Sequence, residues 1–531
     1  MTFGAFPPNQ GGIGCRYGPP VLLHDVVEEA AAATPAAPAL LGGPTTTSFA
    51  GLADSMARLS AVVAERTAPG DRVAFVGENS EAWVLAYYGV PRAGRVLTFL
   101  NHRLAAPELR RTVAASGARM LLGDASLVAT VADAVPTTLE LEGLGAALAA
   151  TPPAPASPAE GGPHATAWLL FTSGTTGRPK GAMLTAGGLL AAVEATLAGR
   201  PVADDDVYLF PFPLCHVAGY NVLVHHRRGR PVVLLPRFDP ATFVAAVAEH
   251  RVTAASLAAT MLSSLLDHVE AHRCADELAS LRTIGYGAAP MPVALLRRAD
   301  ALLGCGFAQG YGMTELSGNA VFLGPEEHRE GLRRDDPELL RSAGRPAPGV
   351  AVRVVDAALR DVAPGATGEI VVRAAQVAAG YWHDDDAGAA TFVGGELRTG
   401  DLGRWDGAGR LHVVDRMKDV IVTGGENVSS VAVEDVLHAA PVVREAAVIG
   451  VPDPHWGEAV CAVVAPRDGA EPCAQQLSDL VATDLGGFTR PRHVVFVEAL
   501  PRNAAGKVVK EELRRLVADH PELLGERLRT R

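Results

Sequence analysis

The 531-residue sequence is poor in cysteine. Its six cysteines, Cys15, Cys215, Cys274, Cys305, Cys461 and Cys473, are scattered and form no CxxC pair. That sparseness excludes a disulfide scaffold and offers no zinc-ligand pattern, so a reducing, cytoplasmic setting is expected. A secretory signal is also missing, because MTFGAFPPNQGGIGCRYGPP has no basic segment followed by an apolar one. Two charge-free stretches, 30–53 and 207–226, reach the roughly 20 residues a bilayer span requires. Pro, Gly and Thr interrupt the first, and Pro, His, Gly and Asn the second, so no transmembrane segment is expected. Nor is there an excess of positive charge. The 47 Lys+Arg face 59 Asp+Glu, a net charge of −12, which argues against a nucleic-acid partner. Small anionic ligands remain open, since they need only a local set of donors. No internal repeat of 20–50 residues is visible.

Hydrophobic residues at 48% and charged residues at 20% describe a folded protein. The length calls for two to four domains. From Val21 to about Val135, strand-like runs such as DRVAFVGEN alternate with helical ones such as SEAWVLAYYGVPRAG. Such alternation predicts α/β units on a largely parallel sheet. The Pro/Ala stretch 151–165 reads as a surface loop, because the strand-like AWLLF after it enters the interior of a sheet. A second α/β series runs to about Asp356, with PVVLLP and TIGYGA as strands and FVAAVAE as a helix. Short strands with Gly-rich turns between Val350 and Val414 predict a small all-β unit, and an α+β tail follows Arg416.

The strongest chemical signal is TSGTTGRPKG, Thr172 to Gly181, directly after an apolar strand. Its glycines let the backbone approach a ligand, and Ser173, Thr175, Thr176 and Lys180 add hydroxyls and a cation, as a phosphate cradle requires. It is not a Walker A loop, because Lys180 neither follows Gly nor precedes Ser/Thr. In GYGMTE, Tyr311 can stack on a base and Glu315 can hold magnesium; a buried Tyr beside a capping Thr-Glu satisfies the same letters. In RTGDLG, Asp401 is either a ribose-hydroxyl acceptor or a turn former. DRMKDVIVTGGENVSS and PRNAAGKVVK taken alone are a charged strand edge and a surface loop.

The order of these motifs carries more than any one of them. Together with GYGAAP at Gly285 to Pro290, they make the sequence resemble the adenylate-forming superfamily of acyl-CoA synthetases, luciferases and peptide-synthetase adenylation domains, over about Val21 to Leu516. NHRLAAPEL, PLCHVAG, YGAAPM and LLRSAGRPAPGV look most like medium- and long-chain or aryl acyl-CoA synthetases. The resemblance implies an α/β fold: a large N-terminal domain of two α/β subdomains plus a small β-barrel-like subdomain, with a mobile α+β C-terminal domain. It implies an adenylation core over 1–415, a hinge at 416–418 and a cap over 419–531. It implies ATP, Mg2+ and CoA as ligands, a carboxylic acid as substrate, and two half-reactions through an acyl-adenylate.

By that resemblance Thr172, Ser173, Thr175, Thr176 and Lys180 hold the outgoing pyrophosphate. Gly287, Ala288 and Ala289 line the adenine, on which Tyr311 stacks, while Asp401 and Arg416 fix the ribose. Thr314 sits by the α-phosphate, Glu315 binds the metal, and Lys507 bridges the carboxylate and α-phosphate. Lys418 is the hinge residue, and Gly424, Gly425 and Glu426 line the pantetheine channel. His216, Tyr220 and Met313 border the acyl pocket.

The sequence departs from the pattern at several places. Ala432 stands where relatives carry a first Glu, Glu396 where an aromatic is common, and Cys215 where an aromatic is frequent. The segment YNVLVHHRRGRP gathers His225, His226, Arg227, Arg228 and Arg230. It reads either as an exposed helix end, favoured by the helix dipole, or as a polar wall recognising a second anionic group on the substrate. The departures also leave open a carrier-protein or amine acceptor, or nitrite in place of the carboxylate. A degenerate nucleotide-binding module is opposed by intact Lys180, Glu315, Asp401 and Lys507.

Overall fold

A computed structural model describes residues 21–43, 45–172, 180–287, 291–503, 507–525 and 528. The alternating runs of the first half form two sheets with helices on their faces. In the six-stranded sheet the order is Thr137–Glu140, Met120–Gly123, Arg72–Val76, Val96–Leu100, Thr166–Thr172 and Lys180–Thr185. All pairings there are parallel except the last. The strand after the Pro/Ala stretch therefore lies inside this sheet, and the stretch itself is a loop within the domain.

The second sheet, nine strands among the described residues, carries Gly318–Leu323, Gly306–Met313, Thr283–Gly287, Ala254–Ser256, Tyr208–Phe210 and Val232–Leu234 in succession. Its central strands run parallel, and the turn at Thr314–Leu316 sends the chain back antiparallel into Gly318–Leu323. Ligands of open α/β sheets bind at the carboxyl ends of such strands. One apolar core joins the two sheets: Phe75, Phe99 and Trp168 of the first pack in the same cluster as Tyr208, Phe210 and Val232 of the second. Trp83, Tyr87, Phe99 and Trp168 lie with neighbouring ring centroids 4.6–6.1 Å apart.

Ala351–Val355, Gly368–Arg373, Phe392–Val393, Glu396–Trp405 and Leu411–Arg416 form the expected small antiparallel unit. After the turn at Met417–Val420 begins a separate sheet of Ile421–Thr423, Glu426–Val428, Val443–Asp453, Gly457–Pro466 and His493–Phe496. Helices Ser430–His438, Ala474–Leu485 and Lys510–Asp519 cover it, and its two cores draw only on residues from Ile421 onward. Among the described residues no helix is long and apolar enough to cross a membrane.

The basic segment is neither an exposed helix end nor a free polar wall. Helix Tyr220–Arg227 is buried throughout. His225 stacks on Tyr208 with centroids 3.9 Å apart, and His226 meets Tyr88 OH at 2.9 Å and the Ala39 carbonyl at 3.1 Å. Arg227 pairs with Glu29 and Glu194, both at 3.1 Å, and Arg228 with Asp204 at 3.4 Å. These carboxylates come from the helix Asp25–Ala33, the helix Ala186–Gly199 and the Asp204–Asp206 run. Pairing across those distances neutralises Arg227 and Arg228, which local sequence could not reveal, and Arg230 donates to the Arg228 carbonyl at 3.0 Å.

Two departures also acquire physical reasons. Glu396 pairs with Arg353 at 3.0 Å and Arg373 at 3.6 Å. At Ala432 no carboxylate is required: the Ser429 hydroxyl caps the helix by accepting its N–H at 3.2 Å, and Lys510 pairs with the partly buried Glu434 at 2.8 Å.

Candidate active site

Four loops from separate elements converge. The first is held by a hairpin: Thr166–Thr172 and Lys180–Thr185 pair antiparallel with Thr172 opposite Lys180, and Thr172 Oγ1 donates to the Lys180 carbonyl at 3.4 Å. Ser173, Thr175 and Thr176 lie outside the described residues. Lys180 Nζ stands 5.2 Å from the ring centroid of Tyr381. Tyr381 in turn donates its hydroxyl to Glu315 Oε1 at 2.8 Å. Motif reading missed Tyr381, which ties the hairpin to the second loop. Its only local sign is an aromatic pair after a glycine, in AAGYW.

The second loop follows Gly306–Met313. Thr314–Leu316 make one 3-10 turn, and the Glu315 carbonyl accepts from Ala378 N at 2.8 Å. Gly312 is required by close approach, since a Cβ there would collide with the Gly318 carbonyl across the bend. Met313 is register partner to Gly318, whose backbone lies against the Tyr220 ring. The buried Tyr220 hydroxyl meets Thr196 Oγ1 at 2.8 Å and accepts from Asn319 N at 3.3 Å. His216 begins the 3-10 turn Val217–Gly219 that leads into Tyr220. Gly287 ends the neighbouring strand, in register with Gly310; Ala288 and Ala289 lie outside the described residues.

The third group sits on the small β unit. Asp401 lies opposite Arg416 on paired strands, with its carboxylate 3.4 Å from the guanidinium. Tyr311 donates its hydroxyl to Asp401 Oδ2 at 2.8 Å. Burial pushes the Asp401 carboxyl above the usual range, against the pull of Arg416, Tyr311 and Lys507. Burial also raises the Tyr311 phenol, and the Asp401 charge adds to it.

The fourth group belongs to the C-terminal domain. Lys507 ends a short turn closed by Asn503 N to the Lys507 carbonyl at 2.8 Å and Lys507 N to Asn503 Oδ1 at 2.9 Å. The residue is exposed, and its ammonium is within electrostatic reach of Arg416, Asp401 and Glu315. Desolvation lowers its pKa first and the Arg416 charge adds to this, while Asp401 and Glu315 oppose the shift. Thus one lysine from the small domain comes within electrostatic reach of two carboxylates of the large one, Asp401 and Glu315.

Lys418 is exposed in the turn between the domains, where Met417 N donates to the Gly400 carbonyl at 2.9 Å. Gly424 and Gly425 form the tip of the hairpin Ile421–Thr423/Glu426–Val428, and both they and Glu426 are exposed. Asp415, next to last in the strand Leu411–Arg416, is buried against the small domain. Its Oδ2 accepts from Ser430 N at 2.6 Å and Ser430 Oγ at 2.7 Å.

Comparison with known proteins covers most of the chain. Residues 27–382 match the model of the AMP-binding enzyme family, and residues 432–507 match the AMP-binding enzyme C-terminal domain. A feruloyl-CoA synthase from Amycolatopsis is 38% identical over 486 residues, covering 91% of this chain and 96% of its own. A fatty acid–[acyl-carrier-protein] ligase from Streptomyces coeruleorubidus is 34% identical over 496 residues, 90% of this chain and 93% of its own. Among solved structures, the Bacillus subtilis o-succinylbenzoate CoA synthetase, in complex with its acyl-adenylate intermediate, superposes with a TM-score of 0.82 at 30% identity. It covers 92% of this chain and 97% of its own. That synthetase has also been solved with ATP and a magnesium ion. The motif order, the two-domain architecture and the matched family models lead to one conclusion: this chain belongs to the AMP-binding enzymes, the adenylate-forming family of acyl-CoA ligases.

Proposed function

We propose that the protein activates a carboxylic acid with ATP, releasing pyrophosphate, and passes the acyl group of the resulting acyl-adenylate to the thiol of CoA. The observation that carries the side-chain assignment is Lys507, presented by the small domain to Asp401, Arg416 and Glu315 of the large one. Two anions must meet when a carboxylate attacks the α-phosphorus, so positioning and charge neutralisation dominate the barrier. A lysine suits this task because one compact cation can touch both reacting groups. Lys507 aligns the carboxylate with the α-phosphate, and Thr314 hydrogen-bonds the latter. Thr172, Ser173, Thr175, Thr176 and Lys180 take the departing pyrophosphate. Asp401 and Arg416 hold the ribose, and Gly287, Ala288, Ala289 and Tyr311 enclose the base.

Glu315 suits Mg2+, a cation that accepts one or two carboxylates while keeping phosphate and water oxygens around it. Tyr381 occupies one of its oxygens and leaves the other free to ligate. When bound, the ion neutralises phosphate charge. For the second half-reaction the small domain turns about Lys418, the boundary lying at 416–418. Lys507 withdraws, and Gly424, Gly425 and Glu426 line the path of the pantetheine arm, a conformational gate between two chemistries. His216, Tyr220 and Met313 border the acyl group.

Carrier-protein phosphopantetheine is the second acceptor to consider, because a relative 34% identical is a carrier-protein ligase. Mass spectrometry of products from ATP, an acid panel, and either CoA or a phosphopantetheinylated carrier separates the two. A CoA thioester supports the main reading; acyl-carrier alone replaces it. Lys507→Ala should lower pyrophosphate release about 100-fold or more, in keeping with loss of a charge-stabilising donor. Thioester formation from supplied acyl-adenylate should persist. Normal adenylation in that variant would overturn the assignment.

A further inference from the structure

Arg200 follows the helix Ala186–Gly199, where its own N–H closes the last turn on the Thr196 carbonyl at 2.7 Å. Its side chain runs inward. Nη1 donates to Ser256 Oγ at 3.2 Å, Nη2 donates to Asn221 Oδ1, and the guanidinium carbon stands 6.0 Å from the Tyr208 ring centroid. Every one of these partners is neutral, and among the described residues no carboxylate lies within ion-pair distance of Arg200. The contrast with Arg92, Arg227 and Arg398 is sharp, because each of these meets a glutamate. A half-buried guanidinium without a counter-anion is costly, so the fold holds a charge there without compensating it.

Its surroundings say what that charge meets. Ser256 is in register with Gly285, and Gly285 with Ala308. A Cβ on Gly285 would overlap Arg200 Nη1, so the glycine lets the guanidinium lie against the sheet where it does. Two residues further along the same face come Gly287 and Gly310, and then Gly312, while Tyr311 and Met313 alternate to the other face and pack against the core of the small β unit. The opposite face, with Leu209, Ile284, Tyr286 and Phe307, is filled by a separate core. On the Arg200 side the strands themselves therefore contribute little beyond glycine and alanine from Ser256 to the bend before Thr314, and the Asn319 side chain lies over Gly310. Tyr220 borders it: Arg200 acts on its phenol electrostatically, and its hydroxyl reaches Asn319 beside that bend. His225, stacked on Tyr208, is held near pKa 3 by burial and by the Arg200 charge, so it adds no second cation.

We infer that Arg200, with Asn221 and Ser256, is the specificity determinant at the far end of the acyl site, and that the preferred substrate is an acid carrying a second oxygen acceptor distal to the carboxyl group that is activated. This rests on the proposed adenylation site at Thr314 and Lys507. Guanidinium donors in a partly desolvated site reward a carboxylate or phenolic oxygen, and penalise an apolar terminus that leaves them unmet. The anion-reading role that sequence reasoning offered to Arg227 and Arg228 thus moves to a residue not then singled out.

The test measures kcat and KM for pyrophosphate release with cinnamic acid and its 4-hydroxy and 4-carboxy analogues. The wild-type enzyme should prefer the oxygen-bearing acids by about 10- to 100-fold in kcat/KM, the range of a charge-assisted hydrogen bond. The larger preference tells which oxygen, phenolic or carboxylate, the site was built for. Arg200→Met, similar in length but apolar, should invert the order through KM, which a purely structural tie would not do. Equal use of all three acids by the wild type overturns the inference even if the variant fails to fold. An Arg200→Met variant that slows every acid alike overturns it too. Failure of every acid to release pyrophosphate overturns the adenylation assignment, and this inference with it.

Discussion

Tyr381 joins two charges that lie far apart in sequence, Lys180 through its ring and Glu315 through its hydroxyl. Removing that hydroxyl in Tyr381→Phe frees the carboxylate to turn. Pyrophosphate release should then fall about tenfold at low Mg2+, the scale of one hydrogen bond to a charged group, and recover partly as Mg2+ is raised. A magnesium titration of initial rates checks it. Lys507 permits a prediction in pH. Desolvation and Arg416 lower its pKa, so the ammonium is lost at lower pH than for an ordinary lysine. Adenylation should therefore fall on an alkaline limb below the usual lysine range, and Lys507→Arg, whatever its residual rate, should lack that limb. Asp401, Arg416, Glu315 and Lys507 were legible because each sits in a contiguous motif. Tyr381 and Arg200 were not, because their partners stand 66, 21 and 56 residues away and no local pattern announces such pairs.

At the scale of elements, the helix Tyr220–Arg227 shows where sequence reasoning goes astray. Its last turn, His-His-Arg, looks solvent-facing, yet it is buried between the two sheets. Charge there is balanced by Glu29 and Glu194 on other helices, and the histidines stay neutral. Burial holds His225 near 3 and His226 near 4, and His328, against Tyr286, near 4. Below the ordinary value of about 6.5, the unfolded chain gains protons that the folded one refuses. Stability contributed by each neutral histidine is thus whole above pH 6.5 and declines by about 1.4 kcal/mol per pH unit below it. His328→Gln should flatten the fall of unfolding free energy between pH 6.5 and 5 by that amount, read by urea titration; an unchanged slope would contradict the burial argument. By contrast, the strands Thr283–Gly287 and Leu411–Arg416 were readable, because period and turn residues determine them locally. The glycines of RTGDLG suggested a turn at Asp401, yet that residue lies within the strand Glu396–Trp405, paired on both sides.

For the whole molecule the question is which arrangement of the domains is held. Arg341, ending the helix Pro337–Arg341, pairs with Asp435 of the small domain at 3.0 Å while Lys507 faces the cleft. The pair is partly exposed, so it contributes about 0.2–1 kcal/mol. Arg341→Ala should slow the adenylation half-reaction by up to about fivefold and leave thioester formation from supplied adenylate nearly unchanged, as single-turnover measurements would show. The division into a large α/β body and a small α+β one was visible in the sequence as a change of pattern near Arg416. The contacts across the boundary were not, since they depend on how two finished surfaces meet.

The core that joins the two α/β sheets bears on cooperativity. Phe75 and Trp168 cannot lose their packing without exposing Tyr208 and Phe210, so neither sheet has a melting transition of its own. The small domain, whose cores begin at Ile421, does. Calorimetry should resolve two endotherms, and a destabilising change at Trp168 should move only one of them. The enzyme can therefore loosen its Lys507-bearing domain while its two α/β sheets remain a single rigid unit.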